Sequence, residues 1–294
     1  MAGSATAADG VVEPGNESSF TNENGCKIYC KYWCADMQNP KALVFLVHGA
    51  GEHCLCYGEL AEILKNQGLY VFSHDHQGHG QSGGSRMHIT DFRHYVRDVF
   101  QHVEVVQKRF PGVPVYVLGH SMGGAVSLVA VLDRPDFFAG MILIGPVVTP
   151  EQDTVGPVRI FFGKLMARIF PHFPVLQISD EEISRDKAIV QKYKDDPLVY
   201  HGWMKAKWAL SLLSALMEIE EKLTTIKLPF LVLHGGDDRI VSSKGSETLH
   251  KLAESTDKTI KIYPEGFHQL HADVEPVRSD SCKNIVDWLA KRVS

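Results

Sequence analysis

The sequence predicts an α/β fold, with helices on both faces of a mostly parallel sheet and a helical cap inserted over its carboxyl edge. Three observations predict it. Short apolar runs alternate with segments of helical periodicity along most of the 294 residues, a pattern typical of parallel sheets with crossover helices. The alternation stops between residues 147 and 228, where helical patterns and prolines replace the apolar runs. A glycine-flanked serine directly follows one of these runs.

The strands are predicted from apolar runs that are too short for helices. Continuous apolar runs are typical of buried parallel strands, because both faces of such strands are covered. An early stretch with period-two alternation predicts one further strand. The predicted strands are 27–33, 42–47, 69–72, 113–118, 141–144, 230–233 and 259–263.

The helices are predicted from apolar residues at helical spacing and from terminal signals. Gly68 is expected to end the first helix, and the Asp91 side chain can cap the second, which Pro111-Gly112 ends. The predicted helices are 57–67, 91–110, 122–132, 243–254 and 277–290.

Composition divides the chain into three parts. Residues 1–24 are small and polar and are expected to be disordered. Residues 25–146 and 229–294 carry the strand–helix alternation and form the predicted core. Residues 147–228 form the predicted helical cap or lid, over the sheet edge where open α/β sheets bind ligands.

Charge and hydropathy argue against several classes of protein. The net charge of −5 gives no basic footprint for nucleic acid. No apolar run approaches the roughly 18 residues of a membrane-spanning helix. The N-terminus lacks the basic and apolar regions of a signal peptide, so a cytoplasmic protein with reduced cysteines is expected.

Gly119-His120-Ser121-Met122-Gly123 is a G-x-S-x-G motif between a predicted strand and a predicted helix. In this context the motif indicates a tight elbow that exposes the Ser121 hydroxyl above the sheet. The glycines at 119 and 123 fit because the turn leaves no room for side chains there. Ser121 is therefore the candidate nucleophile.

A serine nucleophile needs a histidine base that is oriented by a carboxylate, and on this fold the acid and then the base follow the serine. Asp238 follows the strand at 230–233 and is the candidate acid, with Asp237 as the alternative. His268 follows the strand at 259–263 and is the candidate base, with His271 as the alternative.

The tetrahedral intermediate of such a reaction needs backbone N–H donors around its oxyanion. The amide of Met122, just after the nucleophile, is one candidate. Ala50, in the glycine-rich loop after the strand at 42–47, supplies the other. The histidine-rich loop 74–82 is interpreted as structural, with a metal site as the alternative.

The cap carries two sets of apolar residues. The first forms a helical stripe with a basic remainder, which predicts membrane contact, with packing inside the cap as the alternative. It consists of Val158, Phe161, Phe162, Leu165 and Ile169. The second set either lines an acyl tunnel or packs in the core. It consists of Trp203, Trp208, Leu210, Leu212, Leu213, Leu216 and Met217.

Five linked motifs together resemble the monoacylglycerol lipases of the α/β-hydrolase superfamily. They are HGAGEH at 48–53, HDHQGHGQS at 74–82, GHSMGG at 119–124, GGDDR at 235–239 and EGFHQLH at 265–271. The resemblance implies cleavage of monoacylglycerols, including 2-arachidonoylglycerol, to fatty acid and glycerol. It implies no metal or cofactor, and it implies a cap that docks peripherally on membranes.

The resemblance also implies roles for individual residues. Glu52, Tyr193 and His271 match residues at the polar end of the family's site, where glycerol lies. Cys56 stands where family members have an arginine, so headgroup recognition is expected to be weaker. A broader lysophospholipase, carboxylesterase or thioesterase is the second hypothesis for the function. A lipid carrier without catalytic activity is the third.

Overall fold

An eight-stranded sheet forms the centre of the computed structural model, which describes residues 16–34, 37–150 and 168–293. The order of its strands is β1-β2-β4-β3-β5-β6-β9-β10. Two short strands of the cap, β7 and β8, form a separate hairpin. The strands are β1 (Glu17–Thr21), β2 (Lys27–Tyr32), β3 (Leu43–Val47), β4 (Tyr70–His74), β5 (Val115–His120), β6 (Gly140–Ile144), β7 (Pro174–Leu176), β8 (Met204–Lys205), β9 (Phe230–Gly235) and β10 (Lys258–Tyr263).

The sheet is parallel from β4 through β10, and β2 pairs antiparallel with both β1 and β4. The helices of the described residues cover both of its faces. They are α1 (Gly58–Lys65), α2 (Arg93–Arg109), α3 (Met122–Asp133), α4 (Lys187–Asp195), α5 (Ala206–Lys222), α6 (Ser243–Leu252) and α7 (Val277–Ala290).

Strand β3 shows why the central runs are continuously apolar. Leu43 and Phe45 point into one core, which α2 and α3 cover, whereas Val44 and Leu46 point into the other, which α1 and α7 cover. Successive side chains of a strand alternate between faces, so a strand covered on both sides needs an apolar residue at every position. All five residues of β3 are buried.

The structure confirms the predicted α/β class and the predicted strands and helices of the core, with boundaries shifted by a few residues. Two differences lie outside that pattern. Residues Glu17–Thr21, expected to be disordered, form edge strand β1, which pairs with β2. The cap, in which no strand was predicted, contains the hairpin of β7 and β8.

The cap contributes α4, α5 and the hairpin to the described structure. Its packed side is apolar, because Trp208, Leu216 and Ile219 of α5 join the core that α2 and α3 cover. None of the described helices is long and apolar enough to cross a bilayer. Four residues of the predicted membrane stripe, Val158, Phe161, Phe162 and Leu165, lie outside the described residues.

Candidate active site

Ser121 lies at the elbow between β5 and α3, at the carboxyl edge of the sheet. Its φ of 55° is in the left-handed region, which costs a side-chain-bearing residue about 1–3 kcal/mol. Neighbouring backbone holds it there: its N–H donates to Ile144 O at 3.1 Å, and its carbonyl accepts from Gly124 N at 2.9 Å and Val147 N at 3.1 Å. The strained turn presents a serine that is only 5% exposed.

The glycines on either side of Ser121 are required by close backbone contacts. A Cβ at Gly123 would lie 2.1 Å from Val47 O, and one at Gly119 would lie 2.4 Å from Gly123 O. Both distances are far inside van der Waals contact, so a side chain at either position would force the elbow apart. The structure thus supplies the physical reason for the spacing of the motif.

Asp238 and His268 are hydrogen-bonded to each other. The His268 Nδ1–H donates to Asp238 Oδ2 at 2.7 Å, and Asp238 Oδ1 accepts from the amides of Ile240 and Val241, each at 2.9 Å. Burial alone would raise the pKa of Asp238, but the facing His268 and the hydrogen bonds, including one from His234, hold it well below its usual range. The acid stays ionised and fixes the orientation of the His268 ring.

The two alternatives from the sequence occupy other places. Asp237 is exposed, and its backbone N–H donates to Gly266 O. The His271 ring stacks on Tyr57 with centroids 5.0 Å apart. The geometry therefore favours Asp238 as the acid and His268 as the base.

Ala50 and Met122 are the residues whose backbone amides are the predicted oxyanion donors. Both residues line the same cavity as Ser121. Within the described ranges neither backbone N–H has a hydrogen-bond acceptor. A backbone N–H without an acceptor in the protein is the kind of donor that an oxyanion site needs.

A cavity of about 1190 Å³ opens above Ser121. Helix α5 gives it an apolar wall that includes Trp208, Leu212, Leu213 and Leu216. Four of the seven residues in the second predicted apolar set thus face the cavity, whereas Trp203 and Met217 are exposed. The opposite wall, from the acid loop and α6, carries polar and basic groups.

Behind the elbow lies a buried polar cluster that we call the Glu52 cluster: Glu52, Tyr57, His120 and Gln269. Glu52 Oε2 accepts from Gly49 N at 2.9 Å and from the Tyr57 hydroxyl, and it lies 3.3 Å from His120 Nδ1. Glu52 Oε1 accepts from Gln269 Nε2 at 2.5 Å. Protein donors therefore occupy both carboxylate oxygens.

Of the other predicted polar-end residues, His271 lies against this cluster, with its ring centroid 5.0 Å from that of Tyr57 and 5.5 Å from that of His120. Burial lowers the pKa of His271 to about 3, so its ring is neutral. Burial and the charge of Glu52 raise the pKa values of Tyr193 and Cys56 well above their usual ranges.

Loop 74–82 is hydrogen-bonded to both ends of the loop that carries Ala50. The Asp75 carboxylate accepts from Cys54 N at 2.8 Å and Gln81 N at 2.7 Å, and His48 Nε2 accepts from His76 N at 2.9 Å. These contacts agree with the structural interpretation of the loop. In the described part of the chain, no three His, Cys, Asp or Glu side chains converge to hold a metal ion.

The cap is tied to the loop that carries His268. Arg185 Nε donates to both carboxylate oxygens of buried Asp273 at 3.1 Å, and Ser184 Oγ donates to Ala272 O at 2.8 Å. These contacts were not predicted from the sequence, and neither were those of Tyr57, His120 and Gln269 with Glu52. Two of these three residues stood in motifs that were already singled out: His120 in G-x-S-x-G and Gln269 in EGFHQLH.

The protein is a serine hydrolase of the α/β-hydrolase fold. This class is defined by the sheet topology, by the strained serine at the elbow and by the Asp–His pair at the same edge of the sheet. A family model described as "Serine aminopeptidase, S33" matches residues 38–275. The monoglyceride lipase of Rattus norvegicus is 41% identical over 94% of this chain and 90% of its own length.

The monoglyceride lipase homolog of monkeypox virus is 43% identical over 90% of this chain and 95% of its own length. Among solved structures, the monoacylglycerol lipase of Paleococcus ferrophilus has a TM-score of 0.79 at 27% identity, covering 90% of this chain and 98% of that one. The chain belongs to the monoglyceride lipase family.

Proposed function

We propose that this enzyme hydrolyses monoacylglycerols to fatty acid and glycerol through an acyl-enzyme on Ser121. The observation that carries the proposal is the Asp238–His268 pair, 2.7 Å between Oδ2 and Nδ1, at the sheet edge that bears Ser121. The apolar cavity above Ser121 and the similarity to monoglyceride lipases support the substrate class.

In the proposed acylation, His268 Nε2 takes the hydroxyl proton as Ser121 Oγ attacks the ester carbonyl. The carbonyl oxygen becomes an oxyanion, which the Ala50 and Met122 amides bind. Asp238 stabilises the imidazolium that forms. His268 then gives its proton to the glycerol oxygen as the ester bond breaks, and glycerol leaves.

Deacylation repeats these steps with water as the nucleophile. His268 takes a proton from the water, whose oxygen attacks the acyl carbon, and returns the proton to Ser121 Oγ as the acid leaves. The acyl chain lies against Trp208 and the leucines of α5, since apolar surface favours transfer out of water. Residues 147–228 are proposed to form the cap over this acyl chain.

The headgroup end of the site is proposed to lie among Tyr193, His271 and Cys56. A neutral imidazole and a protonated tyrosine can each donate or accept a hydrogen bond with a glycerol hydroxyl. At position 56 a cysteine thiol stands where family members have an arginine, whose guanidinium is charged and donates several hydrogen bonds. The enzyme is therefore expected to select glycerol esters less sharply than relatives with that arginine.

The cap edge is proposed to dock on a lipid surface, which makes the enzyme a peripheral membrane protein of the cytoplasm. Ile169 and Trp203 are 57% and 54% exposed, and Phe170, Phe173 and Leu176 are also about half exposed. Four of these residues lie within 169–176, and a group of exposed large apolar side chains is typical of an interaction surface. Phe170, Phe173 and Leu176 follow Ile169, the last residue of the predicted stripe, and add further exposed apolar side chains.

A broader lysophospholipase or carboxylesterase activity is the second candidate. Arg239, Lys244 and Lys251 line the cavity and could accept an anionic headgroup. The test is a panel of monoacylglycerol, diacylglycerol, lysophospholipid, thioester and ethyl ester of one fatty acid. Highest kcat/KM on the monoacylglycerol supports the main proposal; highest kcat/KM on the lysophospholipid supports the alternative.

A further inference from the structure

The backbone on both sides of the base His268 is held by hydrogen bonds. The amide of Phe267, the residue before it, donates to Asp273 Oδ2 at 3.0 Å. The amide of Gln269, the residue after it, donates to Ile183 O at 2.8 Å. Asp273 lies in the same loop as His268, residues 264–273, which we call the base loop, whereas Ile183 lies in the cap. The position of the base therefore depends on one carboxylate of its own loop and on the cap.

The Asp273 carboxylate joins the base loop to the cap. Its Oδ1 accepts from the amides of Val274 at 2.8 Å and Arg185 at 3.1 Å, and Arg185 Nε donates to both of its oxygens at 3.1 Å. All of these donors are N–H groups, so the direction of each hydrogen bond is fixed by chemistry. Asp273 is 0% exposed. A carboxylate so deeply buried is stable only while such donors surround it.

Three consecutive residues of the cap follow the base loop. Ile183 accepts from the loop backbone as described, Ser184 Oγ donates to Ala272 O at 2.8 Å, and the Arg185 side chain binds Asp273. Ile183 and Ser184 are 2% and 0% exposed. The cap segment is thus packed against the loop as tightly as a part of the core.

The end of strand β6 supports His268 from the side of the sheet. A Cβ at Gly145 would lie 3.1 Å from His268 O and 3.2 Å from His268 Nδ1. The sheet edge therefore leaves the base little room to move toward the core. Contacts with the cap restrain the base loop on another side.

We propose that Arg185 and Asp273 form a latch through which the cap positions the base His268, so that the cap supports the chemistry on every ester and does not only hold the acyl chain. Neither residue is among the described residues that line the cavity above Ser121. Both act through the backbone of the base loop, which makes them positioning residues. The inference rests on the proposed roles of Ser121 and His268.

The two roles of the cap predict different kinetics. If the cap only held the acyl chain, cutting one of its contacts would slow long-chain esters and spare short ones. Loss of a positioning contact misplaces the base for every substrate, and small misplacements in an active site cost up to about 100-fold in rate. A short-chain fluorophosphonate separates the two roles, since it needs the activated serine but no acyl site.

The experiment compares Arg185→Gln with Arg93→Gln, which cuts a second ion pair between the core and the cap. Arg93 of α2 donates to Glu218 of cap helix α5, from Nη1 to Oε2 at 2.8 Å and from Nη2 to Oε1 at 2.9 Å. We expect Arg185→Gln to slow labelling, and kcat on a soluble butyrate ester, by about 10- to 100-fold. KM and the ratio of long-chain to short-chain ester rates should stay unchanged. Arg93→Gln should label at the wild-type rate.

The double variant Arg185→Gln/Asp273→Asn tests whether the two residues act as one unit. Asp273→Asn should slow labelling at least as much as Arg185→Gln, because it also weakens the bond to the amide of Phe267. The double variant should label no more slowly than Asp273→Asn alone, since contacting residues are not additive. It leaves no unpaired buried charge, so it carries the labelling test if a single variant does not fold.

Three results would overturn the inference: wild-type labelling in folded Arg185→Gln or in the folded double variant, a loss confined to long-chain esters, or losses that multiply in the double variant. Equal slowing in Arg93→Gln would also overturn it, because general seating of the cap would then explain the loss. A wild-type protein that the probe does not label contradicts the proposed function instead, so the two failures are distinguishable.

Discussion

The Asp238 carboxylate binds His268 through one oxygen and two backbone amides through the other, so it cannot rotate without losing three hydrogen bonds. Its neighbour Asp237 is exposed to solvent. Of the adjacent residues Asp237 and Asp238, it is thus Asp238 whose carboxylate is hydrogen-bonded to the base.

Asp238→Asn should therefore lower kcat by on the order of 10⁴, because an amide at this position favours the wrong imidazole tautomer. The matched change Asp237→Asn should alter kcat less than twofold. Both are measured on a soluble ester, with thermal melting as the check on folding. A severe loss in Asp237→Asn with a mild one in Asp238→Asn would move the acid by one residue.

Cys56→Arg should restore a charged donor at the proposed headgroup end. A hydrogen bond to a charged group contributes about 1.5–3 kcal/mol, so kcat/KM for the glycerol ester should rise roughly tenfold relative to the ethyl ester of the same acid. Cys56→Ser, which adds no charge, is the control. An equal ratio in the wild type and in Cys56→Arg would show that position 56 does not reach the headgroup.

Replacing Ile169, Phe173 and Trp203 with serine should weaken vesicle binding by at least tenfold. That factor needs only about 1.4 kcal/mol in total, less than the burial of one large apolar side chain provides. Activity on a soluble ester should persist. Ile63→Ser, at an exposed position of α1 away from the cap, should leave binding intact. Unchanged binding of the folded triple variant would contradict docking through this edge.

Asp98 predicts a pH dependence of stability. Burial raises its pKa to about 7, whereas an unfolded aspartate releases its proton near pH 3.9. The folded state favours the neutral acid, so this contribution is complete below about pH 4 and is lost as pH rises to about 7. An asparagine at this position cannot ionise, so Asp98→Asn removes this loss of stability at high pH.

Denaturant unfolding at pH 5 and pH 8 checks the sign. Relative to the wild type, the free energy of unfolding of Asp98→Asn should be higher at pH 8 than at pH 5. A relative stability that is the same at both values would show that Asp98 does not titrate in this window.

Sequence patterns predicted the features that depend on local chemistry. The apolar runs located the buried strands, and the order of Ser121, Asp238 and His268 along the chain located three loops at one edge of the sheet. Strand β1 was missed because its sequence, ESSFT, has little apolar content; antiparallel pairing with β2 holds it.

The Glu52 cluster could not be predicted for a different reason. Glu52 bonds to residues 68 and 217 positions away in sequence, and these contacts exist only once three loops have docked. Resemblance suggested Glu52 as a headgroup ligand because it matched a motif position. The structure adds its contacts with Gly49, Tyr57, His120 and Gln269.

The most direct test of the proposed activity is fluorophosphonate labelling and turnover of Ser121→Ala. We predict complete loss of labelling and a decrease in monoacylglycerol turnover by on the order of 10⁴–10⁶, because removal of the nucleophile leaves only binding and the oxyanion donors. Persistent labelling, or turnover within tenfold of the wild type in a folded Ser121→Ala protein, would mean that another residue is the nucleophile.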